Sequence, residues 1–304
     1  MIKYQHILVV IDPVAETQPA LHRAVSVAAL QEKADITLFM AIYDFSYEMT
    51  SILSSTERDE MREGVLQGRE EWLKTLLAPY KNSTVQFNLK VVWHSRPFEA
   101  IIQQVQDGQH DLVVKSTHKH TLIQSFIFTP TDWHLLRKCP CPVLLVKQQD
   151  WPMGGNVLAA VNCGSDDKEQ EALNNKVITE SAEVARLLTA NLHLVNAYPI
   201  TPVNMALELP DFDPHVYNAA VKRHHERALY EYAVRFDLES SSLHLEEGLA
   251  EEVIPHCADK INASLVILGS VGRTGFSAAL LGNTAEQVVD KLTCDVLVLR
   301  PDTE

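Results

Sequence analysis

The sequence predicts an α/β protein of two tandem, doubly wound domains, each built around a five-stranded parallel sheet, and three observations carry that expectation. Apolar runs of strand length alternate with longer stretches of helical spacing, the order that makes parallel sheets with helices on both faces. The whole series starts again about 150 residues later, far beyond a solenoid repeat and equal to a whole domain. A chain of 304 residues is also long for one compact core and ample for two.

The first series opens with the apolar run Ile7–Ile11 and stops at Asp12-Pro13. Pro19 to Lys33 then has helical spacing through Ala20, Ala24, Val27 and Leu30. Ile36–Ile42 reads as the second strand, Leu73, Leu76 and Leu77 lie on a helix beginning near Thr56 or Glu57, and Phe87–Val92 alternates as a shorter strand. Arg96-Pro97 marks the next helix, since proline is tolerated in a first turn. Leu112-Val113-Val114 is a buried strand, and Val143–Val146 closes the set after Cys139-Pro140-Cys141-Pro142.

Trp151-Pro152-Met153-Gly154-Gly155 reads as a linker, which places the domains at 1–149 and 153–304. Beyond it, Val157–Asn162 repeats Ile7–Asp12, Glu180–Leu188 repeats the first helix, and Leu192–Tyr198 repeats the second strand. Leu243-His244-Leu245 stands for the third strand, Ser264–Gly269 matches Asp111–Ser116, and Asp295–Leu299 matches Pro142–Val146.

Hydrophobic residues at 46% and charged residues at 22% describe a soluble globular protein rather than a disordered chain or a disulfide scaffold. A net charge of −14 argues against a nucleic-acid partner, which clustered Lys and Arg would serve. The N-terminal apolar run is too short for a signal peptide and no later run reaches membrane-spanning length, so the expected location is the cytoplasm, without membrane insertion. Five cysteines without paired spacing read as reduced thiols; Cys139 and Cys141 joined by His118 and His120 as a metal site is the weaker reading, because zinc knuckles favour Cys-x2-Cys.

The stretch with the most chemical content follows Leu265–Leu268: Gly269-x2-Gly272-x9-Gly282-Asn283-Thr284. A glycine at the end of a parallel strand lets backbone N–H groups approach an anion, and a following helix N-terminus adds partial positive charge. The spacing is neither a Walker A loop nor G-x-G-x-x-G. In doubly wound sheets ligands bind beyond the carboxyl ends of the strands, at the crevice between the first and fourth, here Asn162 and Leu268-Gly269.

With this stretch and the duplicated series in hand, the chain resembles the universal stress protein family over nearly its whole length. The family's nucleotide pattern ends in a small hydroxyl residue, where this chain has Asn283 with Thr284 one place later. The resemblance implies an adenine nucleotide alpha hydrolase-like fold, with ATP across the ends of the first and fourth strands in members that bind it. It implies an adenine nucleotide, with or without Mg²⁺, at Asn162, Ala197, Leu268, Gly269, Gly272, Gly282, Asn283 and Thr284. Asn162 stands where an aspartate near the adenine is typical, and Asp12 keeps that charge in the first repeat.

Aligning the repeats puts Ser116 against Gly269, Lys119 against Gly272, Thr129 against Gly282 and Pro130 against Asn283. The first loop has no glycine left, and Pro130 lacks an N–H, so the nucleotide is expected in the second domain only, with the first loop degenerate. Lys119, His118 and His120 leave a side-chain route to an anion there.

No nucleophile elbow or metalloprotease motif occurs, and no catalytic residues are assigned. Asp211-Phe212-Asp213-Pro214 reads as a turn and helix cap, and His224-His225 as a solvated helix face. Apolar residues after each second strand, Phe45, Tyr47, Met49, Ile52 and Leu53, then Ile200, Val203, Met205, Leu207, Leu209 and Phe212, read first as core-covering loops. Their alternative is a pocket for an apolar or lipid-like molecule. The last strands, Val143–Val146 and Val296–Leu299, are edges in the family's strand order, so the resemblance implies an intramolecular pseudo-dimer; a further homodimer is compatible and not required. The expectation is a non-enzymatic stress-response protein that binds a small molecule, with a slow ATPase as a further alternative.

Overall fold

The structure, a computed structural model, describes residues 4–31, 33–49, 54–81, 83–119, 126–147, 151–152, 154–165, 167–199, 213–270 and 282–301. Its Cα positions group into two compact units, Lys3–His118 with Phe128–Val146 and, for the most part, Lys147–Glu304.

In the first unit the sheet strands are β1 His6–Val10, β2 Asp35–Ile42, β3 Gln86–Trp93, β4 Leu112–Ser116 and β5 Val143–Val146. Their order is β3-β2-β1-β4-β5, with every pairing parallel. Ile7, Leu8, Ile36, Leu38, Val113 and Val114 are fully buried, as continuous apolar runs must be when helices cover both faces. The helices are α1 Pro19–Ala29, the single-turn α2 Ser46–Met49, α3 Ser55–Leu76, α4 Pro97–Asp107 and α5 Pro130–Lys138. Ser54 and Glu57 form a reciprocal capping box, which starts α3 at Ser55, one or two residues before the expected point.

The second unit repeats the plan with β6 Asn156–Ala160, β7 Asn191–Tyr198, β8 Leu243–Glu247, β9 Ala263–Gly269 and β10 Asp295–Leu299, in the order β8-β7-β6-β9-β10. All these pairings are parallel too. Its helices are α6 Lys168–Leu187, α7 Pro214–Arg235, α8 Ala250–Lys260 and α9 Asn283–Lys291.

One expectation is corrected here. The helix placed at Glu180–Leu188 begins at Lys168, because Asp167 accepts the Glu169 N–H at 3.1 Å as a cap and Glu169 and Glu171 follow in the first turn. The polar N-terminal half hid the helix from a reading by apolar period alone. Asp213 caps α7 by accepting from the His215 N–H at 2.9 Å, as the Asp-Pro pair indicated, and Asp211 lies outside the described residues. The cysteines at 139 and 141 are buried free thiols with their sulfurs 3.7 Å apart.

Candidate functional site

Each repeat ends its first strand in a turn held by one side-chain amide. Asn162 Oδ1 accepts from the Gly164 N–H at 3.2 Å, and Asn174 clasps the same residue, its Oδ1 taking the Asn162 N–H at 3.1 Å and its Nδ2 donating to the Asn162 carbonyl at 2.8 Å. In the first repeat Asp12 Oδ1 accepts from the Val14 N–H, and Gln18 binds the Asp12 N–H and carbonyl at 3.1 and 2.8 Å. The shared requirement is an acceptor at the strand end, which Asn162 supplies without the charge of Asp12.

Beyond this turn the second repeat opens a cavity of about 280 Å³. Asn162, Ala197, Leu268, Gly269 and Thr284 all line it, so five of the sequence-chosen residues meet at one place. Gly282 is the residue preceding α9, Asn283 is the first residue of that helix and exposed, and Gly272 lies outside the described residues. Sequence reasoning missed the walls contributed by Gln170, Leu173 and Asn174 of α6 and Ala250 and Ile254 of α8. Leu173 decides why position 269 is glycine: a Cβ there would lie 2.6 Å from Leu173 Cγ and Cδ2.

The helix ends distinguish the two crevices. In α5 the cap is Thr129, whose hydroxyl accepts from the Asp132 N–H while Asp132 Oδ2 takes the Thr129 N–H at 2.6 Å. Asp132 is fully buried, and its other oxygen lies 2.7 Å from Lys115 Nζ on β4. Ser116, which aligns with Gly269, accepts the Ala20 N–H of α1 at 2.9 Å. At the strand and helix ends of the first repeat there thus stand a buried ion pair and a side-chain cap. In the second repeat the places of Lys115 and Asp132 are taken by Leu268 and Ala285, both cavity walls, and α9 starts from Gly282 with no side-chain cap. A helix N-terminus carries unsatisfied N–H groups and partial positive charge, and this one stands against a cavity.

His225 corrects another expectation. It is buried, not on a solvated face: its Nδ1 lies 3.0 Å from Asn196 Nδ2 and 3.3 Å from Asn196 Oδ1, and Asn196 Oδ1 accepts the Cys163 N–H at 3.0 Å. Burial, followed by the neighbouring His224, lowers its pKa, in keeping with a neutral ring that braces the 162–164 turn. Among the loop residues, Phe45 is exposed and Tyr47 packs edge-on against Trp93 at 5.4 Å. The Met49 side chain and Ile52, Leu53, Ile200, Val203, Met205, Leu207, Leu209 and Phe212 lie outside the described residues, as do His120 and the side chains of His118 and Lys119.

The universal stress protein family pattern matches the chain twice, over residues 3–147 and 155–300. The chain belongs to the universal stress protein family. It is 52% identical over 305 residues to universal stress protein E of Escherichia coli K12, covering 99% of this chain and 96% of the relative. A universal stress protein E homolog of Haemophilus influenzae is 42% identical, with 98% of each chain covered. A crystal structure of a Pseudomonas aeruginosa PAO1 protein superposes with a TM-score of 0.77 at 30% identity, covering 98% of this chain and 93% of that one. A universal stress protein from Archaeoglobus fulgidus shares the fold with a TM-score of 0.63 at 16% identity over 98% and 97% of the chains. This is therefore a tandem universal stress protein.

Proposed function

We propose that this tandem universal stress protein is a non-enzymatic stress-response protein of the cytoplasm whose second repeat binds an adenine nucleotide, while its first repeat binds none. The observation that carries the reading is the contrast between α5 and α9. The first is closed by Thr129, Asp132 and Lys115, and the second starts uncapped beside a cavity floored by Leu268, Gly269 and Ala285. About 280 Å³ is near the lower end of the roughly 300–1,000 Å³ typical of ligand pockets, which suits a base and sugar with the phosphates toward the N-terminus of α9. The walls are apolar at Leu173, Val177, Ile254 and Val288, with amide groups at Asn162 and Gln170 to read the polar edge of a base. Among the described residues no group of three His, Cys, Asp or Glu is placed to hold a metal.

Titration calorimetry of the full chain with ATP tests the reading. Ala285→Asp copies Asp132 into α9 without a partner lysine, and it should abolish binding by placing a carboxylate where phosphate would lie. Wild-type protein that binds no adenine nucleotide, or an Ala285→Asp variant with unchanged affinity, refutes it. ATP turnover that is lost in the same variant would favour the ATPase alternative instead.

A further inference from the structure

Lys147 follows β5 in the chain yet belongs to the second compact unit. It is 6% exposed, and its Nζ donates to the carbonyls of Val289 and Leu292, each at 2.5 Å. Val289 lies in the last turn of α9 and Leu292 is its C-cap, so both carbonyls lack an N–H of that helix to accept from. The same lysine's backbone N–H donates to Asp295 Oδ1 at 2.9 Å, and Trp151 Nε1 donates to Asp295 Oδ2 at 3.0 Å. The segment leaving the first repeat is therefore bound at two points to a buried carboxylate at the start of β10.

α9 is the helix whose Thr284, Ala285 and Val288 line the cavity. At nine residues it is too short to hold itself helical, so its placement depends on packing and on what grips its ends. At its N-terminus no side chain caps it; at its C-terminus a cation sits on the negative end of the helix dipole. We propose that Lys147 is a positioning residue for the second crevice: its grip on the C-terminal carbonyls of α9 fixes where the first turn of that helix stands against the cavity. The consequence for a ligand rests on the nucleotide reading above, whereas the consequence for the helix does not.

Burial lowers the Lys147 ammonium to about 8, while Cys294, Asp290 and Asp295, the acidic groups facing it, act in the opposite direction. Its charge is accordingly lost just above neutral pH, and because the solvated ammonium of an opened α9 would keep its proton to about 10.5, releasing the helix costs more, not less, as pH rises between those values. Two measurements test the inference. Hydrogen exchange needs no ligand: Lys147→Met, which keeps the apolar stem, should lower protection of the α9 amides about tenfold relative to wild type while β9 and β10 stay protected. In calorimetry the same variant should bind ATP about tenfold more weakly than wild type at pH 7.

Unchanged α9 protection in folded Lys147→Met overturns the inference, as does a pH dependence of α9 protection that the variant shares with wild type. Absence of ATP binding by wild type sinks the nucleotide reading alone, and hydrogen exchange then decides the role of Lys147. Should Lys147→Met fail to fold, wild type at pH 7 and 9 supplies the comparison. After correction for intrinsic exchange, α9 protection should rise relative to β9, and a constant or falling ratio overturns the proposal.

Discussion

Replacing Asp132 by alanine leaves Lys115 buried without its partner, and the loss should be large. The carboxylate is fully buried and the lysine side chain is 11% exposed, so little water reaches either group. Truncating one member of such a pair is destabilising by about 3–5 kcal/mol, chiefly because the other charge stays buried alone. Lys115→Leu should be similar, for it strands the carboxylate. The double variant Lys115→Leu/Asp132→Ala reproduces Leu268 and Ala285 of the second repeat, a combination the same fold already accommodates. It removes both charges together, and the residual loss should be about 1–2 kcal/mol, mostly the helix cap that Asp132 shares with Thr129. Urea unfolding followed by tryptophan fluorescence suits the measurement, since Trp72, Trp93 and Trp133, three of the 4 tryptophans, lie in the first repeat. A double variant as unstable as the sum of the two single variants would refute the reasoning, as would an Asp132→Ala loss under about 1 kcal/mol.

Alkaline pH should weaken the second repeat: burial pushes the thiols of Cys163 and Cys257 up to about 12 each, so the unfolded chain releases those protons first. Between about pH 9 and 12 each thiol subtracts roughly 1.4 kcal/mol of stability per pH unit, while Lys147 acts in the opposite sense between about 8 and 10.5. Unfolding midpoints from pH 8.5 to 11 should fall, and less steeply in Cys257→Ala; an equal slope would speak against the thiols. Asn174→Leu should lose about 2–4 kcal/mol in equilibrium unfolding by orphaning the N–H and carbonyl of Asn162, and a loss within 0.5 kcal/mol would show that the clasp is dispensable. His193 and His244 lie 3.1 Å apart, nitrogen to nitrogen, on β7 and β8, and both pKa values are lowered, first by burial. The unfolded state binds their protons first, so this contribution is intact above about pH 6.5 and is lost on acidification; His244→Gln should make the acid limb shallower.

Most of the fold was legible because a parallel sheet covered on both faces leaves unbroken apolar runs, as at Ile7–Ile11 and Leu265–Leu268. α6 was legible only in its C-terminal half, since its early turns are built from Lys168, Glu169, Gln170 and Glu171 and are announced by Asp167 rather than by apolar spacing. Of the cavity walls, Gly269 and Asn162 were among the residues chosen from motif and topology, whereas Leu173 and Asn174 reach the cavity from a helix whose start was misplaced. The ion pair and helix cap of the first repeat had a signal in Lys115, a charge inside a buried strand, and in the Thr129-x-x-Asp132 spacing of a capping box. Joining them needs the fold, because only the sheet order brings β4 beside the helix that precedes β5. His225 reads as surface among His224, Glu226 and Arg227, and its burial follows from Asn196 on a neighbouring strand.

The exchange of Leu268 and Ala285 for Lys115 and Asp132 also bears on how the two halves of this protein can drift. Either arrangement is self-consistent, but each route between them passes through a half-changed molecule carrying a lone buried charge. A penalty of about 3–5 kcal/mol takes up much of the roughly 5–15 kcal/mol by which a domain is folded at all. Single substitutions at the pair are therefore costly in both directions, which holds the two copies in different side-chain arrangements.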